Sequence, residues 1–186
     1  MKNTTILFFF LLHISFTGFA QSKLFTKNGI ISFYSKAPIE DIEATNNKVL
    51  AIVDLEKNTI EFSVLIKGFE FEKGLMQDHF NDSYLESDKY PKAYFKGVFE
   101  ESIHGISSAG NKTYTLTVTG NLSLHGVTQP LKTLGVVAVN NKLIKASSSF
   151  TIRLSDYKIK IPSLVASNIS KEILIKVNIP SFTEIN

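Results

Sequence analysis

The sequence predicts an all-β fold, an extended eight-stranded antiparallel β-barrel with one or two short helical turns between its strands. Three observations predict it. Apolar and polar residues alternate with period two over several segments, the pattern of strands with one buried face. Short polar, turn-forming clusters separate those segments. About eight segments qualify, and eight strands are the number at which a closed barrel just encloses its own side chains or one small ligand.

Taken in chain order, the first element lies outside the fold. Lys2 precedes an apolar run from Ile6 to Phe16 and then Thr17-Gly18-Phe19-Ala20, whose small residues suit a signal peptidase. Residues 1–20 are therefore expected to be removed on export, with cleavage near Ala20. Residues 21–186 are expected to form one domain, periplasmic or secreted.

Ile30–Ser35 reads as the first strand. Val49–Leu55 and Thr59–Phe69 follow, joined by Glu56-Lys57-Asn58, a hairpin connection. Glu72–Tyr90 departs from the pattern: Met76, Phe80, Tyr84 and Leu85 recur at helical spacing, so the helical turns belong here, where they can close one end of a barrel. Tyr94–Phe99 gives a strand after Pro91. The clearest strand sets Tyr114, Leu116, Val118, Gly120, Leu122 and Leu124 against Thr115, Thr117, Thr119, Asn121, Ser123 and His125. Val136–Val139, Ile144–Leu154 and Ile173–Ile179 complete the set. On the inward faces Gly120, Ala146 and Ser148 are small, which leaves room opposite the aromatic residues for a ligand.

Composition excludes several function classes. The chain carries 20 Lys and Arg against 17 Asp and Glu, and loss of Lys2 leaves a net charge of about +2. Arg153 is the one arginine, so nucleic acid is not an expected partner. There is no cysteine, hence no disulfide and no thiol nucleophile. No Gly-x-Ser-x-Gly elbow and no phosphate-binding glycine loop is present. His79, His104 and His125 stand far apart in sequence, which argues against a metal site. Glu100-Glu101 reads as a pair of solvated charges on opposite strand faces.

Three pieces of the chain resemble the YceI-like family, the periplasmic polyisoprenoid-binding proteins with a lipocalin-like barrel. One is Gly74-Leu75-Met76-Gln77-Asp78-His79-Phe80 followed by Asp88-Lys89-Tyr90-Pro91-Lys92-Ala93-Tyr94-Phe95. The second runs from Val118 to Pro130 through His125-Gly126. The third is Phe150–Ile159, which carries Lys158 where the family usually has glycine. The resemblance implies a lumen holding an isoprenoid or similar amphiphile, and no catalytic residue.

The expected function is to bind a long-chain apolar lipid, a polyisoprenoid or quinone tail, as a carrier or scavenger. The lining is assigned to Phe62, Val64, Met76, His79, Phe80, Phe95, Tyr114, Leu116, Leu122, Phe150 and Ile152. No cofactor is expected beyond such an isoprenoid or quinone-like ligand. Two alternatives stay open: an envelope interaction module with a solid barrel, and an enzyme using His79 and Asp78 on a lipid head group at the barrel mouth. Transient contact with a membrane or envelope proteins and a homodimer also stay open.

Overall fold

The computed structural model describes residues 23–36, 41–103, 105–106, 110–163 and 169–185; the expected signal segment and His104 lie outside them. Among the described residues, ten strands and one α-helix follow in the order β1 (Lys23–Ser35), β2 (Ile42–Asp54), β3 (Thr59–Leu65), β4 (Glu70–Phe71), α1 (Gly74–His79), β5 (Lys92–Phe99), β6 (Lys112–Leu124), β7 (Val127–Asn140), β8 (Leu143–Arg153), β9 (Glu172–Ile179) and β10 (Thr183–Ile185). The strands β1-β2-β3-β5-β6-β7-β8-β9 pair antiparallel in that order, and β9 returns to β1, so eight strands close a barrel. β4 and β10 are short additions on β2 and β1.

The turns explain why the chain meanders. His125 and Gly126 join Leu124 to Val127, both with positive φ (50° and 71°), the two-residue turn whose twist matches that of the strands it joins. Asn141 and Lys142 repeat it between β7 and β8, with φ of 49° and 68°. In the β2–β3 connection, Asp54 Oδ1 accepts hydrogen bonds from the backbone N–H groups of Glu56 and Lys57.

All eight expected strands exist, but β1, β2 and β7 start seven or more residues earlier than expected. β1 runs back to Lys23 because Gly29 lets a bulge pass: a Cβ there would stand 2.7 Å from Ile179 Cδ1. β2 runs back to Ile42 through Asn46, which is fully buried and breaks the apolar pattern. Its side chain donates to the Leu65 carbonyl at 2.9 Å and accepts from Lys48 N–H at 2.9 Å, so burial leaves neither end unsatisfied. β7 starts at Val127 despite Pro130, because that stretch pairs with a strand on one side only, β6. Conversely, β3 ends at Leu65 rather than Phe69, and Ile66–Gly68 is a 3₁₀ turn.

The inward faces follow the alternation. Leu116 and Val118 are buried, while Thr117 points outward. Two apolar clusters fill the ends. One packs Leu24, Leu55, Phe99, Ile103, Ile106 and Ile144 at the β2–β3 and β5–β6 connections. The other gathers Val64, Ile66, Phe69, Phe80, Leu85 and Tyr157 beneath the helical insertion.

Glu100-Glu101 requires a correction. Both lie in the bend after β5, not in a strand, and Glu101 is bonded rather than simply solvated. It accepts from Thr117 N–H at 2.7 Å and from the Thr117 hydroxyl at 2.9 Å, tying the β5–β6 connection to β6. The Thr117 backbone N–H holds the Glu101 carboxyl below its ordinary 4.5. A depressed folded-state value stabilises the fold at pH above 4.5 and is lost as pH falls through it. Glu101→Gln is therefore expected to be less stable than the parent at neutral pH, with the gap closing in acid; urea titrations from pH 7 to pH 3 read it out.

Lys158, the departure from the family pattern, adopts a left-handed conformation with φ 55° after the 3₁₀ turn Leu154–Tyr157. Glycine occupies that region without a Cβ clash, whereas other residues are strained there by about 1 kcal/mol or more. Lys158→Gly is expected to raise stability by about 1 kcal/mol, seen as a higher urea midpoint at unchanged slope.

Candidate functional site

Between the two apolar clusters the barrel encloses a cavity of about 380 Å³. Among its described lining residues there is no Asp, Glu, Lys or Arg. β3 contributes Ile60, Phe62 and Val64; β6 contributes Leu116, Val118 and Leu122; β8 contributes Ala146, Ser148, Phe150 and Ile152; and β9 contributes Ile173, Ile175 and Val177. The wall alternates, so every second residue of each strand faces in.

Ten of the eleven expected lining residues border this cavity: Phe62, Val64, Met76, His79, Phe80, Phe95, Leu116, Leu122, Phe150 and Ile152. Tyr114 does not. It packs instead against the cluster at the β2–β3 and β5–β6 connections, with Lys112 Nζ 4.7 Å from its ring centre. Gly120 also departs from expectation, because the room it was expected to leave is filled. A Cβ on Gly120 would stand 2.7 Å from Phe95 Cζ, and Gly97 lies directly opposite in the ladder, so the Phe95 ring covers both glycines. Ala146 and Ser148 do border the cavity.

The helical insertion closes one end, as expected. α1 continues into a π turn, Phe80–Tyr84, where Leu85 N–H bonds the Phe80 carbonyl. Phe80 is driven into the barrel end against three other phenylalanines. Its ring centre lies 5.3 Å from Phe33, 5.0 Å from Phe71 and 5.6 Å from Phe69. The sequence reading missed Phe33, Phe69 and Phe71 as lining residues. Phe33 was visible as the inward neighbour of Ile31, but Phe69 and Phe71 follow the 3₁₀ turn, where period two no longer tells inside from outside.

His125 pins this cap. Nδ1 lies 3.0 Å from the Tyr157 carbonyl oxygen, to which it donates, and Nε2 lies 3.0 Å from Glu86 Oε2. The Tyr90 ring stands edge-on at 4.7 Å. The β6–β7 turn, the insertion and the 3₁₀ turn after β8 therefore meet on one imidazole. Burial, and then the neighbouring Asp156 charge, pushes the Tyr157 phenol up.

Met76 is half-buried, and His79 is exposed on the rim while still bordering the cavity. Asp78 is exposed beside it. At Ser35, Ile42 and Met76 the cavity meets an outer hollow of about 770 Å³ and mixed polarity, flanked by Tyr34, Glu43, Glu70, Glu72 and Lys176. There the Glu43 carboxylate, bonded to the Tyr34 hydroxyl, raises the Tyr34 phenol above its usual value.

An eight-stranded antiparallel barrel with a capped, apolar interior has a lipocalin-like architecture. A family model described as the YceI-like domain matches residues 21–180, and the chain belongs to that family. A polyisoprenoid binding domain from Saccharophagus degradans implicated in plant cell wall breakdown superposes with a TM-score of 0.75 at 14% identity, covering 89% of this chain and 99% of that one. BcnA of Burkholderia cenocepacia gives 0.67 at 18% identity, over 81% of this chain and 94% of that one. The YCEI protein of Campylobacter jejuni gives 0.58 at 18% identity, over 81% and 89%. At these identities the likeness is one of fold. No curated protein sequence matches the chain.

Proposed function

We propose that this protein binds a long-chain apolar lipid, a polyisoprenoid or a quinone tail, inside the barrel and serves as a periplasmic carrier or scavenger after export. The observation that carries this reading is the cavity, which offers a ligand apolar wall and no charged side chain among its described lining residues. Magnitudes favour a long chain. Each buried methylene is worth about 0.8 kcal/mol, while association costs roughly 4–15 kcal/mol, so about 20 buried carbons are needed for firm binding. The polyisoprenoid binding of the Saccharophagus degradans domain supports the same ligand class here.

We read the site as one of binding rather than turnover. Asp78 and His79 are adjacent on α1, so their side chains diverge by about 100° around the helix, a poor arrangement for a cooperating acid and base. Native mass spectrometry of protein purified without added lipid, followed by solvent extraction, tests the proposal. A stoichiometric long-chain isoprenoid or quinone is the expected result. A clean apo mass that stays unchanged when polyprenol or quinone is offered overturns it.

A further inference from the structure

The wall of the barrel is not continuous. β7 pairs with β6 from Val127 to Val139, but its ladder with β8 covers only Gly135 to Asn140. β8 then runs on to Arg153 paired with β9 alone. A seam therefore separates Val127–Leu134 of β7 from Ser149–Arg153 of β8. Pro130 falls within it, on a stretch with a strand on one side only, where a missing N–H is tolerated.

Side chains, not backbone, hold the lips of the seam. The Ser148 hydroxyl donates to the Leu134 carbonyl at 2.7 Å and lies 3.2 Å from the Thr133 hydroxyl. Gln129 Nε2 donates to the Asp156 carbonyl at 2.9 Å. Directly behind lies the cavity, bordered by Leu131 and Thr133 from one lip and Ser148 and Phe150 from the other. Outside, Leu134 is 60% exposed and Val136 39%. Apolar surface thus approaches the seam from both faces.

We infer that this seam is a lateral port through which the apolar chain of the ligand passes between solvent or membrane and the barrel interior. The inference rests on the lipid-binding reading and adds the route. The rival route is end-on. It starts where the cavity meets the outer hollow at Ser35, Ile42 and Met76. Widening it for a lipid chain lifts α1 and the π turn, which parts Phe80 from Phe33, Phe69 and Phe71 and breaks the His125 contact to Glu86. Parting the seam breaks a few hydroxyl and amide hydrogen bonds and no ladder bond. A net hydrogen bond stabilises less than one buried aromatic side chain does, so the seam is the easier opening.

The absence of native cysteine makes the test clean. Thr133→Cys with Ser148→Cys places one disulfide across the seam. Ser123→Cys with Thr128→Cys places one across the paired β6–β7 ladder, where the native hydroxyls are 2.7 Å apart, and serves as control. Each purified, exported protein is mixed with phosphatidylcholine vesicles carrying a dansyl-labelled polyprenol, and uptake is followed by fluorescence. The oxidised seam variant is expected to take up the probe at least tenfold more slowly than the oxidised control, with dithiothreitol restoring the rate. Ser148→Ala combined with Gln129→Ala removes the Ser148 and Gln129 lip bonds without a cross-link, leaving the 3.5 Å contact of the Thr133 hydroxyl with the Ser149 carbonyl, and it is expected to speed uptake several-fold. Unchanged rates in both seam variants overturn the port and leave the binding reading standing. No uptake by the parent or any variant overturns both.

Discussion

Gly120→Ala is expected to destabilise the barrel by about 2–3 kcal/mol, a large effect for one added methyl group. Gly120 and Gly97 face each other in the β5–β6 ladder, and the Phe95 ring lies over both. A Cβ on Gly120 would stand 2.7 Å from Phe95 Cζ and would also press on the backbone of Lys96 and Gly97. The ring could turn aside, but the backbone cannot yield without parting the two strands at the middle of their ladder. With a urea slope of about 1–3 kcal/mol per molar, the midpoint should fall by roughly 1 M or more. Gly135→Ala is the control: its Cβ would meet nothing closer than Val118 Cγ2 at 3.5 Å, an ordinary contact. Equal midpoints for the two variants would show that the glycine pair is not a close approach.

That pair also shows where sequence reasoning stops. A small residue on an inward face means either open space or a neighbour's side chain, and the neighbour here is Phe95, on another strand. Strand faces were legible on β6 and β8, because alternation there runs unbroken from Tyr114 to Leu124 and from Ile144 to Ile152. They were hidden where a tertiary contact overrides the pattern, at the Gly29 bulge and at buried Asn46. The cavity lining was largely legible for the same reason, since alternation on a closed barrel is a list of what faces in. Phe69 and Phe71 escaped because a 3₁₀ turn resets the phase just before them. The seam was invisible, since periodicity describes one strand at a time and says nothing of how far two strands stay paired.

The strongest effect on the closed end is expected from Phe80→Ala, at about 3–5 kcal/mol. Phe80 is 9% exposed and touches Phe33, Phe69 and Phe71, which reach it from β1, from the segment after the 3₁₀ turn and from β4. Truncation removes its buried area and leaves a void that three rings on separate elements cannot fill together, so the cost should lie near the upper part of the range. Because Phe80 also borders the main cavity, the void would join it and loosen the cap from within. Leu75, on the same helix but 67% exposed, supplies the comparison: Leu75→Ala should change stability by no more than about 0.5 kcal/mol. Ligand release separates the cap from the wall. If the seam is the native route, loosening the cap adds a second one, so Phe80→Ala should release a bound polyprenol faster than the parent even with the seam cross-linked. A cross-linked Phe80→Ala protein that releases no faster than the cross-linked parent would show that the four-phenylalanine cluster does not seal the end of the barrel.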